Sequence, residues 1–304
     1  MNERILFMGS PDFALATLNA LAGAFNVVGV VTQPDRPAGR GRLLKPPPVK
    51  LLAEKLGLPI LQPTTLKDPE AVNQLEIMKP DLIVVAAFGQ ILRKDVLQLP
   101  PLGCLNVHAS LLPRWRGAAP IQAAVLHDEI TGVTIMKMDP GLDTGPILSQ
   151  QTTPIPPDMT AGELFHILAQ MGADLLVETL PKYILGEIQP QPQDDGNATY
   201  APRLKKEDGR LDFSKSAAFL ARQVRAYHPW PGTFQFLDDL YIKVFQAHAV
   251  DQADVVPGKR YVMDNLPAWG TAQGLLILDK VQPAGKKPMS GEAFLNGTRH
   301  WIDN

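Results

Sequence analysis

DLIVVAAFGQILRKDVLQLPPLGCLNVHAS, residues 81–110, sets two apolar runs on either side of a polar, proline-punctuated break. Runs of this length bounded by Gly and Pro read as buried strands, here over 81–89 and 103–110. The second closes on Asn106-Val107-His108. Side chains alternate along a strand, so the amide and the imidazole share one face. A histidine beside an apolar strand is by itself more often structural than catalytic, so partners for this one must be sought elsewhere in the chain.

Working outward, similar runs occur at 5–9, 26–33, 59–62 and 132–138. Stretches of helical periodicity alternate with them: PDFALATLNALAG, PVKLLAEKLG, DPEAVNQLEIM and AAPIQAAVLHDE. Thr160-Ala-Gly-Glu163 has the spacing of a capping box and opens a helix to about Leu180. This alternation over the first ~190 residues is the pattern of βα units in an open, mostly parallel α/β sheet. In such sheets reactive side chains gather beyond the carboxyl ends of strands. The next strand is followed by Asp139-Pro-Gly-Leu-Asp143-Thr-Gly145, which offers a carboxylate on a glycine-rich turn. A carboxylate beside an imidazole orients it and stabilises its cation. Amide, imidazole and carboxylate together suit attack by an amine on an acyl carbon, where an oxyanion needs donors and the amine must lose a proton. Gly9-Ser-Pro-Asp-Phe13 has one glycine where a dinucleotide fingerprint needs three, and it reads as a turn into a helix.

Residues 188–202, IQPQPQDDGNATYAP, are polar, rich in Pro and Gln, and without periodicity. They divide the chain into a catalytic domain over 1–187, a linker over 188–206 and a smaller β-rich domain over 207–304. In that last part SAAFLARQVRAY reads as a helix, and GTFQF, LYIKVFQAHAV and LLILDKVQP read as strands.

Composition narrows the classes. The single cysteine, Cys104, excludes a disulfide framework and a cysteine-based zinc cluster. No apolar run approaches the ~20 residues of a membrane span, and MNERILFMGS carries neither a long apolar segment nor a transit-type composition. The expectation is a cytoplasmic protein that binds no membrane and acts as a monomer. Net charge is −2, but it is unevenly divided. Residues 1–202 hold 15 Lys/Arg against 20 Asp/Glu, and residues 203–304 hold 14 against 11. Within the acidic part, Gln33–Lys50 carries Arg36, Arg40, Arg42, Lys45 and Lys50 against Asp35 alone. Rich in Gly and Pro, it reads as a positively charged loop with no packed structure of its own.

The series N-x-H-x-S-L-L-P, R-x-R-G-A-A-P-I and M-D-x-G-L-D-T-G resembles the formyltransferases that use 10-formyltetrahydrofolate. The likeness runs through nearly all of 1–200 and more thinly through YAPRLKKEDGRLDF and RAYHPWPG. It implies a Rossmann-like sheet with helices on both faces, followed by an OB-like barrel. It implies Asn106, His108 and Asp143 as the catalytic group, with no metal. It also implies a folate pocket lined by Ser110, Leu111, Leu112, Pro113, Phe88, Gln90, Ile91 and Leu92. TQPDRPAGRGRLLKPPPVK resembles the basic loop of the members that enter the acceptor arm of initiator tRNA. The resemblance then implies formyl transfer to the α-amino group of methionine on that tRNA, for translation initiation, with Arg40 on the tRNA and Arg36, Arg42 and Lys45 beside it. A sugar formyltransferase would share the three catalytic residues but has no use for the basic loop. A tRNA- or RNA-binding module would leave the converging polar groups unexplained, and a formyl-folate hydrolase is a further rival.

Overall fold

The computed structural model describes residues 2–38, 43–298 and 301–302. The chain divides into two compact units, one made of residues 1–120, 130–154 and 165–201, the other of 121–129, 155–164 and 202–304.

In the first unit the chain runs β1 (Arg4–Gly9), α1 (Phe13–Ala24), β2 (Asn26–Val31), a hairpin of β3 (Arg36–Ala38) and β4 (Leu43–Lys45), α2 (Pro48–Lys55), β5 (Ile60–Leu61) and α3 (Pro69–Ile77). It continues through β6 (Leu82–Ala86), α4 (Lys94–Leu97), β7 (Cys104–His108) and β8 (Arg116–Gly117), after which α5 (Pro120–His127) belongs, past its first residue, to the second unit. Next come β9 (Ile130–Lys137), β10 (Ile147–Pro154), the long α6 (Ala161–Ile184) and β11 (Tyr200–Ala201). Among the described residues the main sheet has seven strands in the order β10-β9-β7-β6-β1-β2-β5. Strands β7, β6, β1, β2 and β5 are mutually parallel, and β9 and β10 add antiparallel pairing at one edge.

The central strands are apolar because both faces are covered: Ile5–Met8, Leu82–Val85 and Leu105 are buried. One face packs Leu6, Met8, Ile83, Val85 and Cys104 against Leu75, Val96 and Leu97. Burial pushes the Cys104 thiol up to about 12, so it stays protonated and acts as a small apolar side chain. The α6 helix passes so near β7 that a Cβ at Gly172 would lie 2.6 Å from Val107 Cγ1. Helix α3 opens on Asp68, whose side chain accepts from the Glu70 amide, with Pro69 in its first turn.

The second unit is antiparallel and β-rich: β12 (Thr233–Leu237), β13 (Leu240–Val250), β14 (Arg260–Met263), β15 (Leu266–Gly270), β16 (Leu275–Pro283) and β17 (Met289–Ser290), with α7 (Ala217–Ala226) and α8 (Gly291–Gly297). Its core holds Leu220 and Val224 of α7 with Ile242, Val244, Trp269, Leu276, Phe294 and Trp301. Ser216 caps α7 through the Phe219 amide.

Candidate active site

Strand β7 lies inside the sheet between β6 and β9, and Asn106 and His108 project from it two residues apart on one face. Asn106 is half-buried and His108 buried. Beyond the strand the chain makes a turn whose polar groups bond within it and to side chains of β9 and β10. Ser110 Oγ donates to the Arg114 carbonyl at 2.6 Å. Thr134 Oγ1 donates to the Ser110 carbonyl at 2.6 Å and accepts from the Leu112 amide at 3.1 Å. Gln150 Nε2 bonds Leu112 O and Thr134 Oγ1, both at 2.9 Å. The Leu112–Pro113 peptide is cis. This turn brings the Trp115 carbonyl to 3.0 Å from His108 Nε2, and Trp115 itself sits at φ +60°. A carbonyl can only accept, so Nε2 carries a proton and Nδ1 is the ring atom left to the site.

Asp143 reaches that atom by a route that the strand pattern does not show. Strand β9 is antiparallel to β7, and its end is tied to the start of β7 by Met138 N–H donating to Cys104 O at 2.8 Å. The segment after it must therefore run back along β7 to place Asp143 Oδ2 3.8 Å from His108 Nδ1. That gap is too long for a direct hydrogen bond but close enough for charge pairing. The same oxygen accepts from the Gly117 amide at 2.8 Å. Asp143 lies at φ +54°, in the left-handed region that side chains rarely occupy. The loop holds itself through Asp139 Oδ1, which accepts from Gly141 N at 3.0 Å and Thr144 Oγ1 at 2.6 Å. A Cβ at Gly145 would run into the Lys137 carbonyl.

Residues 188–201 pack into this same unit. Thr199 Oγ1 accepts from the Trp115 amide at 2.9 Å, and β11 pairs in parallel with β8. Gln193 Nε2 donates to Asp143 O at 2.8 Å and to Gly145 O at 2.7 Å. Its Oε1 accepts from Arg116 Nε at 3.1 Å and Nη2 at 2.9 Å, and Arg116 Nη2 also meets Asp195 Oδ1 at 2.7 Å. Arg116 is only 2% exposed. Burial opposes its charge, but the hydrogen bonds it donates to Asp195 and Tyr200 outweigh that and raise its pKa, so it stays a cation. The sequence leaves Trp115 and Arg116 undecided between packing and substrate contact. In the structure one gives His108 its carbonyl and the other braces the Asp143 loop.

The residues expected to line a folate pocket divide by environment. Ser110 is buried and its hydroxyl is committed to the turn. Leu112 is buried, whereas Leu111 and Pro113 are half-buried. Phe88 and Leu92 lie in the core of the first unit. Gln90 accepts from Leu66 N at 3.0 Å and donates to Pro63 O at 3.2 Å, while Ile91 is 84% exposed. Beside them Ser10 ties three strand ends together. Its hydroxyl reaches Phe88 O at 3.3 Å, Thr32 Oγ1 at 3.3 Å and Gln33 N at 3.1 Å. This spot lies between β1 and β6, where the strand order reverses and α/β sheets bind ligands. A Cβ at Gly9 would lie 2.7 Å from that of Ala14, so only glycine lets the chain turn there.

Of the basic residues expected on tRNA, Arg36 and Lys45 face each other as cross-strand partners in the β3–β4 hairpin. Arg40 and Arg42 lie outside the described residues. Lys50 is already paired, its Nζ 2.8 Å from Asp35 Oδ2. Hydrogen bonds from Gln62 and then Lys50 hold the Asp35 carboxyl below its ordinary value. The hairpin also presents Leu43 and Leu44, 78% and 68% exposed, which the charge pattern of the sequence conceals. Among the described residues no three His, Cys, Asp or Glu side chains converge as a metal-binding group, and no helix is long and apolar enough to cross a membrane.

Residues 3–180 match the family model Formyl transferase, and residues 203–299 match Formyl transferase, C-terminal domain. The chain is 51% identical over 300 residues to the methionyl-tRNA formyltransferase of Chloroflexus aurantiacus, covering 97% of this chain and 96% of that one. With the methionyl-tRNA formyltransferase of Roseiflexus sp. it shares 49% over 304 residues, 98% of this chain and 94% of the relative. Among solved structures it is similar to WlaRD, a sugar 3N-formyl transferase, with a TM-score of 0.69 and 17% identity over 94% of this chain and all of that one. It is also similar to HypX from Aquifex aeolicus in complex with tetrahydrofolic acid, with a TM-score of 0.63 at 17% identity. That match covers 99% of this chain but only 48% of HypX. At such identities the structural likeness concerns the fold alone.

Proposed function

Because this chain belongs to the formyl transferase family, we propose that it moves the formyl group of 10-formyltetrahydrofolate to the α-amino group of methionine on initiator methionyl-tRNA. The product, formylmethionyl-tRNA, serves translation initiation, and the enzyme works in the cytoplasm as a monomer. The observation that carries the reading is the convergence of Asn106, His108 and Asp143 in a chain about half identical to methionyl-tRNA formyltransferases along nearly its whole length.

The chemistry follows from the geometry. A free α-amino group titrates near ~8, so a useful fraction is neutral at physiological pH. Its lone pair attacks the formyl carbon, forming the new N–C bond and leaving negative charge on the formyl oxygen. Asn106 Nδ2–H and His108 Nδ1–H donate to that oxygen, with the ring held from behind at Nε2. Asp143 keeps the imidazolium paired and takes the proton that the attacking nitrogen must shed. When the carbonyl re-forms, the bond to the folate nitrogen breaks and that nitrogen receives the proton. Formyl and proton thus exchange places between the two nitrogens.

We assign donor binding to the reversal point of the sheet, with the main chain of 88–92 and the turn 110–113 as its walls, because the side chains of Phe88, Leu92 and Ser110 already have partners. Arg36 and Lys45 of the hairpin, with Arg40 and Arg42 of the same stretch of sequence, take the tRNA phosphates. The deciding experiment supplies charged initiator tRNA and a dTDP-amino sugar in parallel, each with 10-formyltetrahydrofolate. Formyl transfer to the sugar but not to the tRNA would sink the reading.

A further inference from the structure

The polar side chain with the most bonds around Asp143 belongs to a segment that reads, from its composition, as a linker. We propose that Gln193 is a positioning residue for the transfer reaction, holding the Asp143 main chain where its carboxylate meets His108. The inference rests on the functional reading above.

A glutamine amide has two N–H donors and one oxygen with two lone pairs. Gln193 uses all four: both donors go to the carbonyls of Asp143 and Gly145, and both lone pairs go to the Arg116 guanidinium. The amide can sit only one way round. Reversed, its oxygen would face two carbonyls and its NH2 a guanidinium, and all four contacts would become repulsive. Arg116 is itself fixed by burial and by Asp195. Two successive residues of β8 therefore grip Asp143 at both ends. Arg116 holds its carbonyl through Gln193, and the Gly117 amide holds its carboxylate directly. The grip answers a need, because a non-glycine residue at φ +54° keeps that conformation only when its surroundings impose it. A small displacement of a reacting group matters more than its distance from the cause, since about 1 Å of misplacement can cost ~10²-fold in rate.

The test compares wild type with Gln193→Ala, Gln193→Glu and a control on the same segment, Gln191→Ala, whose exposed side chain bonds only Gln189 O. Single-turnover formyl transfer, KM for both substrates, thermal melting and the NMR titration of the His108 ring are measured for each. Gln193→Ala should lose on the order of 10- to 100-fold in the chemical step with both KM values unchanged, and should shift the His108 titration. Gln193→Glu should melt near wild type, because its carboxylate still pairs with Arg116. Ionised beside Arg116, it cannot donate to either loop carbonyl, so its chemical step should fall as far as that of Gln193→Ala. Gln191→Ala should match wild type throughout. A wild-type rate and an unshifted His108 in Gln193→Ala would overturn the proposal. So would a loss confined to KM, or one that merely tracks unfolding in both variants. If wild type itself transfers no formyl group, the functional reading fails, and the His108 titration alone then decides whether Gln193 positions the pair.

Discussion

The chain leaves β7 through residues 109–119 and leaves β2 through residues 32–47, two exits from parallel strands of one sheet. In the first, Ser110, Leu112, Trp115 and Gly117 each have a backbone or side-chain group engaged by β9, β10 or the 188–201 segment. In the second, the root is bonded through Gln33, Asp35, Lys50 and Gln62, but Arg36, Leu43, Leu44 and Lys45 stand in solvent. Chemistry that needs atoms placed to a fraction of an ångström calls for the first construction. A surface that must adapt to a large flexible acceptor calls for the second, because phosphate attraction acts at longer range and needs no fixed geometry.

The largest test of that contrast is Asn106→Ala. Losing one oxyanion donor should lower single-turnover transfer about 10²–10³-fold while both substrates still bind. A loss seen in binding instead would make this exit a recognition loop like the other. Asp143→Asn comes next. The amide keeps the shape and one oxygen for the Gly117 amide but cannot pair a charged ring, so we expect roughly a 10²-fold drop with the melting temperature nearly unchanged. Restoration of the rate at high pH would count against a proton-accepting role.

At the other exit, Leu43→Ser with Leu44→Ser should raise the KM for tRNA by about tenfold, on the scale of 1–2 kcal/mol of exposed apolar contact, and leave donor affinity alone. A comparable loss with a small amine acceptor would show that the hairpin shapes the site itself. Smallest are Arg36→Ala and Lys45→Ala. Each should reduce the slope of log affinity against log salt by about 1, with a modest loss at low salt. Arg40→Ala should weaken tRNA formylation more than either, and donor affinity should stay put. A salt slope equal to wild type in all three would remove the phosphate contact from this loop.

How far each exit can be read in sequence differs for a physical reason. Asn106 and His108 are legible because a strand has period two and apolar residues surround them. The Asp143 carboxylate is legible as a candidate, but its route is not. Strand β9 runs antiparallel, and strand direction depends on pairing partners far along the chain. Phe88 and Leu92 illustrate a second limit: a short apolar segment after a strand does not say which side chains turn inward, and here these two enter the core. The 188–201 segment shows a third. Lacking periodicity it reads as a connector, yet isolated polar side chains such as Gln193 and Thr199 bond groups 50 to 84 residues away in the chain and carry no pattern that announces it. The exposed Leu43 and Leu44 are masked by the neighbouring charges.

The described part of the hairpin is held at its root. Gln62 Nε2 donates to Gln33 O at 2.9 Å and to Asp35 Oδ1 at 2.7 Å, and Lys50 closes the same cluster, so the anchoring lies before residue 36 and after residue 45. Arg36 and Lys45 are cross-strand partners, and such partners lie only about 5 Å apart. Everything between them is a cassette whose two ends already meet. It can be shortened to a two-residue turn, or replaced by a loop of different length and charge, while the sheet and the Asn106–His108–Asp143 group keep every bond they have.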